Sequence, residues 1–185
     1  MRETVRGVAT AVGSGSAVYV LGYVLTYLSS STSIQESDLN QIIEAFGKDG
    51  VVWKLVGWVF YNAHGVTTTI TLDIPLIGGT DVVNSIAQGD ALSALLYVVP
   101  PVLLLGAGLF AARMADADEL GDALVLGPAV AGGYLPLVLV GVFLFTVTVD
   151  TSSGGPTLLP AVGLAGLVYP LVFGTVGAVV AVLWR

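Results

Sequence analysis

The stretch Leu158–Trp184, LLPAVGLAGLVYPLVFGTVGAVVAVLW, contains no Asp, Glu, Lys, Arg or His. A bilayer core of about 30 Å is crossed by roughly 20 apolar residues in helical form, so this run is long enough to span one. Its apolar residues are continuous and do not alternate in segments of about ten, which favours a helix over a barrel strand. Three further runs share these properties: Val8–Leu28, Ala91–Ala112 and Ala123–Val149. Pro128 and Pro136 in the third run, and Pro160 and Pro170 in the fourth, mark places for kinks.

The composition agrees with this reading. Of 185 residues, 55% are hydrophobic and 10% are charged, and the mean hydropathy is +0.91. Ordinary soluble domains carry about a quarter charged residues, and disordered chains need low hydrophobicity and high charge. With no cysteine, thiolate catalysis, disulfide frameworks and cysteine metal sites are excluded. The expected fold class is therefore an all-α membrane protein with four transmembrane helices. Residues 1–185 form a single polytopic domain, and residues 29–90 form an acidic outer loop that is not an independent domain.

The net charge is −7. A charge at the bilayer centre costs at least about 2.5 kcal/mol, so the acids belong in water. Glu36, Asp38, Glu44, Asp49, Asp73, Asp81 and Asp90 fall in the long polar segment, and Asp116, Asp118, Glu119 and Asp122 in one short loop. Such a surface does not attract nucleic acid. It suits very salty water, where self-repulsion is screened. Placing both ends of the chain in the cytoplasm puts Arg2, Arg6, Arg113 and Arg185 inside and only Lys48 and Lys54 outside, as the positive-inside rule requires. The first run is too long for a signal peptide and lacks a good cleavage site, so it reads as an uncleaved anchor.

Residues 29–90 read as an extracellular amphipathic-helical lid between helices 1 and 2. Ser33-Ile34-Gln35-Glu36 has the spacing of a capping box. Leu39, Ile42, Ile43 and Phe46 follow at helical intervals, with Gly47 as a stop, so one helix is expected over about 34–46. A second, over about 51–63, carries Val52, Leu55, Val56, Val59 and Phe60 on one face and is too short to span. Val66–Ile77 looks extended, and Thr80–Ala87 is expected to return the chain as a short helix.

Three groups of residues are candidates for function. The first is a polar and aromatic set in the lid: Trp53, Lys54, Trp58, Tyr61, Asn62 and His64. His64 is the sole histidine, and a metal site needs three or four ligands, so its plain reading is a helix-terminal cap on backbone carbonyls. The second is the stripe Tyr19, Tyr23 and Tyr27, read either as a helix contact with hydroxyls bonded across the bundle or as a solute path. The third is a face of small residues on the last run, Gly163, Gly166, Pro170, Gly174, Gly177 and Ala181, suited to close approach of a helix from this chain or another. Gly13-Ser14-Gly15-Ser16 matches neither a nucleophile elbow nor a phosphate loop and reads as close packing. No cofactor or metal is expected.

Leu21–Tyr27, Trp53–His64 and Leu95–Leu105 resemble a family of small haloarchaeal four-helix membrane proteins of unknown function. The segment Trp-Lys-x-Val-Gly-Trp-x-Phe-Tyr-Asn-Ala-His looks like its signature, matched here by Trp53, Lys54, Val56, Gly57, Trp58, Phe60, Tyr61, Asn62, Ala63 and His64. The resemblance implies a halophilic source and four helices; it carries no activity beyond a loose label of transporter.

No ionisable group lies within the four runs, which argues against proton-coupled carriers and intramembrane acid–base catalysis. The leading expectation is a non-enzymatic membrane component that acts through helix packing, as a homo-oligomer or a small subunit. The alternative is an uncoupled channel or transporter gated by the Trp53–His64 helix. A membrane-surface enzyme using His64 and Asp73 comes third.

Overall fold

A computed structural model describes residues 2–45, 49–74, 77–87 and 91–184. Helix α1 spans Arg2–Gln35, α2 Asp38–Ala45 and α3 Val52–Asn62. Strands β1 (Thr68–Ile74) and β2 (Ile77–Val83) follow. Then come α4 (Ala91–Ala94), a 3-10 turn over Leu95–Val98, α5 (Val99–Met114) and α6 (Leu120–Leu144). After β3 (Val147–Val149) and β4 (Ser152–Pro156), the chain ends in α7 (Leu158–Pro160), a π-helical stretch over Ala161–Val168, and α8 (Tyr169–Leu183). Four helices are long and apolar enough to cross a membrane: Val5–Gln35, Leu95–Met114, Leu120–Leu144 and Leu158–Leu183. The fourth widens into π geometry just before Pro170, which has no N–H to give the preceding turn.

Small residues set the packing of these four helices. A Cβ on Gly108 would collide with the Gly174 carbonyl, one on Gly177 with the Leu105 carbonyl, one on Gly15 with the Val130 carbonyl, and one on Gly133 with the Val12 carbonyl. Backbone therefore meets backbone between α5 and α8 and between α1 and α6. Gly7 lies against Ala115 and Leu126, and Arg113 donates to the Trp184 carbonyl at 2.9 Å. The start of α1, the α5–α6 turn and the end of α8 thus share one end of the bundle.

The opposite end departs from the all-α expectation. It carries a four-stranded antiparallel sheet in the order β2-β1-β4-β3. Thr68–Thr71 pair with Ser153–Pro156, which joins the outer segment to the connection between the third and fourth long helices. The extended reading of Val66–Ile77 corresponds to β1, but the short helix expected over Thr80–Ala87 is wrong. Residues 77–83 are a strand, and Asn84 then turns the chain by accepting the Ile86 and Ala87 N–H groups on Oδ1. The third run also stops short of Val149, because Val147–Val149 leave the helix to pair with β4.

The lid helices differ as well. α1 continues as helix through Ser29–Ser33 to Gln35, so the Ser33 capping box is not used. Instead Ser37 accepts the Asn40 N–H at 3.2 Å and starts α2. Phe46, Gly47 and Lys48 lie outside the described residues, as do Pro75, Asp90 and Arg185. α3 matches its expected bounds but does not lie flat over the helix ends. Its N-terminal turn is at the end of α6, where Lys54 Nζ donates to the Thr146 carbonyl at 2.8 Å. At its far end His64 meets Tyr134, ten residues before Leu144 and therefore about 15 Å down α6 at 1.5 Å per residue. α3 dips into the bundle, and Leu55, Trp58, Phe60 and Tyr61 belong to its main core.

Candidate functional site

α3 brings two of the three candidate groups together. Residues 55–62 are all buried, because the helix is enclosed by α1, α6 and β4. Gly57 has no room for a side chain against the Phe145 ring. Trp58 Nε1 donates to the Phe145 carbonyl at 2.7 Å, tying mid-α3 to the end of α6. Trp58→Phe keeps an aromatic ring, though a smaller one, and removes the N–H that pairs that carbonyl; it is expected to cost at least about 1–2 kcal/mol, read from unfolding in mixed detergent micelles. An unchanged midpoint would contradict the role given to this bond.

The end of α3 explains why Asn62, His64 and Gly65 follow one another. Gly65 takes φ +74, its N–H bonds the Asn62 carbonyl at 2.9 Å, and the Val66 N–H bonds the Tyr61 carbonyl at 3.2 Å. This is a Schellman motif, with glycine where a left-handed residue is needed. Asn62 then clamps three segments. Its Nδ2 donates to the Val66 carbonyl and the Thr68 hydroxyl, and its Oδ1 accepts the Ser85 N–H.

His64 is 1% exposed. Its Nδ1 lies 2.8 Å from the Phe60 carbonyl, one turn back, and its Nε2 lies 2.6 Å from the Tyr134 hydroxyl. A carbonyl can only accept, so Nδ1 carries the proton and the bare Nε2 accepts from Tyr134. Phe60, Tyr134 and Tyr169 surround the ring. Burial pulls its pKa down to about 4, against the smaller opposing pull of the Phe60 carbonyl. Both nitrogens are engaged, and no cluster of three potential metal ligands exists among the described residues.

The tyrosine stripe meets α3 along its length. Tyr23 donates to the Trp53 carbonyl at 2.9 Å, and the Tyr19 and Tyr61 hydroxyls are 3.2 Å apart. Tyr61 donates onward to the Val138 carbonyl, so its oxygen accepts from Tyr19. Tyr27 is 38% exposed. Lys54 Nζ also stands 5.4 Å over the Trp53 ring.

This chain belongs to DUF7978, a family of unknown function. The family model matches residues 1–185. Neither curated proteins nor solved structures yield a match.

In this DUF7978 chain the small-residue face of the last run lies apart from the α3 site. Gly174 sits against the Gly127 carbonyl and Gly177 against Leu105. Pro170 and Ala181 are buried, and a side chain at Gly166 would meet Leu135. Gly163 has open space around it. The partner helices for most of this face are α5 and α6 of the same chain. Gly15 and Ser16 likewise serve packing, with the Ser16 hydroxyl 3.3 Å from the Gly133 carbonyl. A groove of about 280 Å³ opens sideways between α1 and α5, lined by Ser14, Ala17, Val18, Leu103, Gly106 and Phe110.

Sequence reasoning missed Tyr134 and the Phe145 carbonyl, which complete the site. Tyr134 follows Gly132-Gly133 in an otherwise apolar run; that lone phenol was the available signal. The Phe145 carbonyl has no signature, because any residue supplies one.

Proposed function

We propose that this protein is a non-catalytic component of the cell membrane, working through the outward faces of its four spans as a homo-oligomer or the small subunit of a larger assembly. The observation that carries the reading is the self-pairing of the interior. His64, Tyr134, Tyr19, Tyr61, Asn62 and Trp58 bond one another or nearby backbone. The small-residue faces are likewise occupied within the chain. Such an interior offers no polar lane for a solute among the described residues, and an imidazole with both nitrogens engaged inside the fold has none free for the proton of a bound substrate. Both ends of the chain are cytoplasmic in this reading, the sheet faces outward, and the acidic loops suit a saline medium.

The test is light scattering on protein purified in mild detergent at high salt, with co-purifying proteins identified. A defined oligomer or a stoichiometric partner is the expected result; a clean monomer without partners overturns the reading. Because Gly166 and Gly174 face inward, leucine at those positions would disturb the fold and would not report on assembly.

One observation favours a second reading, an uncoupled channel or carrier gated by α3. A short helix that dips into a bundle and ends in a cluster of Tyr, Asn and His resembles the broken helices that build transport sites. In proteoliposomes, a flux of a small neutral solute above that of empty vesicles, raised by Trp58→Phe, would favour the gate over the structural role.

A further inference from the structure

The tyrosine stripe of α1 is part of a continuous array of rings that the reading above leaves without a role. The Tyr134 ring lies 5.2 Å from Tyr19, Tyr19 5.1 Å from Phe60, Phe60 6.2 Å from Tyr23, and Tyr23 6.3 Å from Tyr27. Tyr134 itself is 1% exposed, so the array runs from the exposed Tyr27 to the buried centre of the bundle. At that inner end the Tyr134 hydroxyl donates to Nε2 of His64 at 2.6 Å.

Removing an electron from a phenol makes its O–H proton strongly acidic. A tyrosine whose hydroxyl already points at a base is therefore easier to oxidise than one whose hydroxyl points at a carbonyl. Tyr23 points at the Trp53 carbonyl, Tyr61 at the Val138 carbonyl, and Tyr19 at the Tyr61 oxygen. None of these acceptors is a base, whereas an imidazole nitrogen takes up and returns protons readily. Burial penalises the positive charge left behind, but the penalty falls on Tyr19 and Tyr61 as well as on Tyr134. The imidazole decides where the oxidation comes to rest.

We propose that this array carries a single-electron oxidation inward from Tyr27 to the Tyr134–His64 pair, so that the protein acts as a radical sink in its membrane. In the step, Tyr134 loses one electron and its phenolic proton crosses to Nε2 of His64. The products are a neutral Tyr134 phenoxyl radical and a His64 imidazolium, whose Nδ1–H stays on the Phe60 carbonyl. The electron leaves through Tyr19, across the Phe60 ring to Tyr23, and from Tyr27 to the oxidant. An organic peroxyl radical is the fitting class, because it takes that electron and a solvent proton and becomes a hydroperoxide.

Since His64 is the sole histidine, protein labelled with 15N-histidine carries one labelled ring. The experiment oxidises it in lipid nanodiscs with photogenerated ruthenium(III) tris-bipyridine and freezes it for electron paramagnetic and electron–nuclear double resonance. The expected spectrum is a tyrosyl radical coupled to the His64 15N. That signal is lost in Tyr134→Phe, and in Tyr27→Phe it forms several-fold more slowly at the same final site. A tyrosyl radical without 15N coupling, or none at all, overturns the proposal, as does a coupled signal that survives Tyr134→Phe. Thermal unfolding checks the fold of each variant, and the labelled unmodified protein decides the matter even if a variant fails to fold.

Discussion

Gly108→Ala is expected to destabilise the bundle by about 3 kcal/mol, the upper part of the usual overpacking range, whereas Gly106→Ala, two residues earlier on the same helix, is expected to be neutral or to stabilise by up to about 1 kcal/mol. The methyl at position 108 would fall on the Gly174 carbonyl, and at 106 it meets nothing within 4 Å. A carbonyl locked in a helix cannot turn aside as the end of a flexible side chain can, so α5 and α8 would have to separate along their length. At the open position the only effect is the lower backbone freedom of alanine in the unfolded chain. Gly177→Ala belongs with Gly108, through the Leu105 carbonyl, and Gly13→Ala with Gly106. Unfolding of the four variants in mixed sodium dodecyl sulfate micelles measures the contrast. Similar shifts at positions 106 and 108 would refute the backbone-on-backbone packing described above.

The second large effect is on acid stability. His64 titrates near 6.5 when unfolded and is pulled down to about 4 by burial in the fold. Between those values the unfolded chain binds the extra proton, so stability rises with pH through the window. The neutral-imidazole contribution is fully present above about pH 6.5 and is lost as pH falls toward 4. At 1.36 kcal/mol per unit, the loss amounts to about 3 kcal/mol. Phe60, Tyr134 and Tyr169 face the ring, and none of them supplies a carboxylate to hold an imidazolium. His64→Phe should lower stability at pH 7, since the Tyr134 hydroxyl loses its acceptor, and should flatten the slope between pH 4 and 6.5. Subtracting the two pH curves removes the shared titration of the exposed acids. Parallel curves would rule out a buried, neutral His64.

Much of the architecture was legible because it depends on local sums. Span length is a count of consecutive apolar residues, so the four long helices were readable without any contact information. α3 was bounded by its own apolar face, whereas the left-handed turn at Gly65 that ends it was seen only in the structure. The Ser33 capping box failed for a local reason as well. The α1 helix was already running through the serines, and Ser29 satisfied its hydroxyl on the Leu25 carbonyl one turn back, so nothing required a stop before Ser37. The sheet was half legible. The alternation Thr68-Thr69-Ile70-Thr71 suggested a strand, but β4 is Ser-Ser-Gly-Gly-Pro, which has no strand propensity of its own. It exists because β1 offers it an edge.

The candidate site shows the same division. His64 was singled out by its rarity and its place at a helix end, and the tyrosine stripe by its spacing of four. That these two features meet, and that they meet around Tyr134, depends on α3 entering the bundle, which no period in the sequence encodes. The small-residue face of the last span was visible as a pattern, but its partner was not. Glycines at helical intervals state only that some backbone comes close.

The amino-acid sequence by itself determined four helices long and apolar enough to cross a membrane, acids kept out of the four apolar runs, and one short amphipathic helix before a strand. These follow from hydrophobicity, charge and turn chemistry summed over neighbouring residues. The tertiary structure alone decided that α3 sinks into the bundle, that distant residues 68–71 and 153–156 share a sheet, and that Gly108, Gly174 and Gly177 meet backbone of their own chain. Each of these is a contact between segments far apart in sequence, where shape complementarity and the pairing of buried polar groups select one arrangement among several with similar local energies.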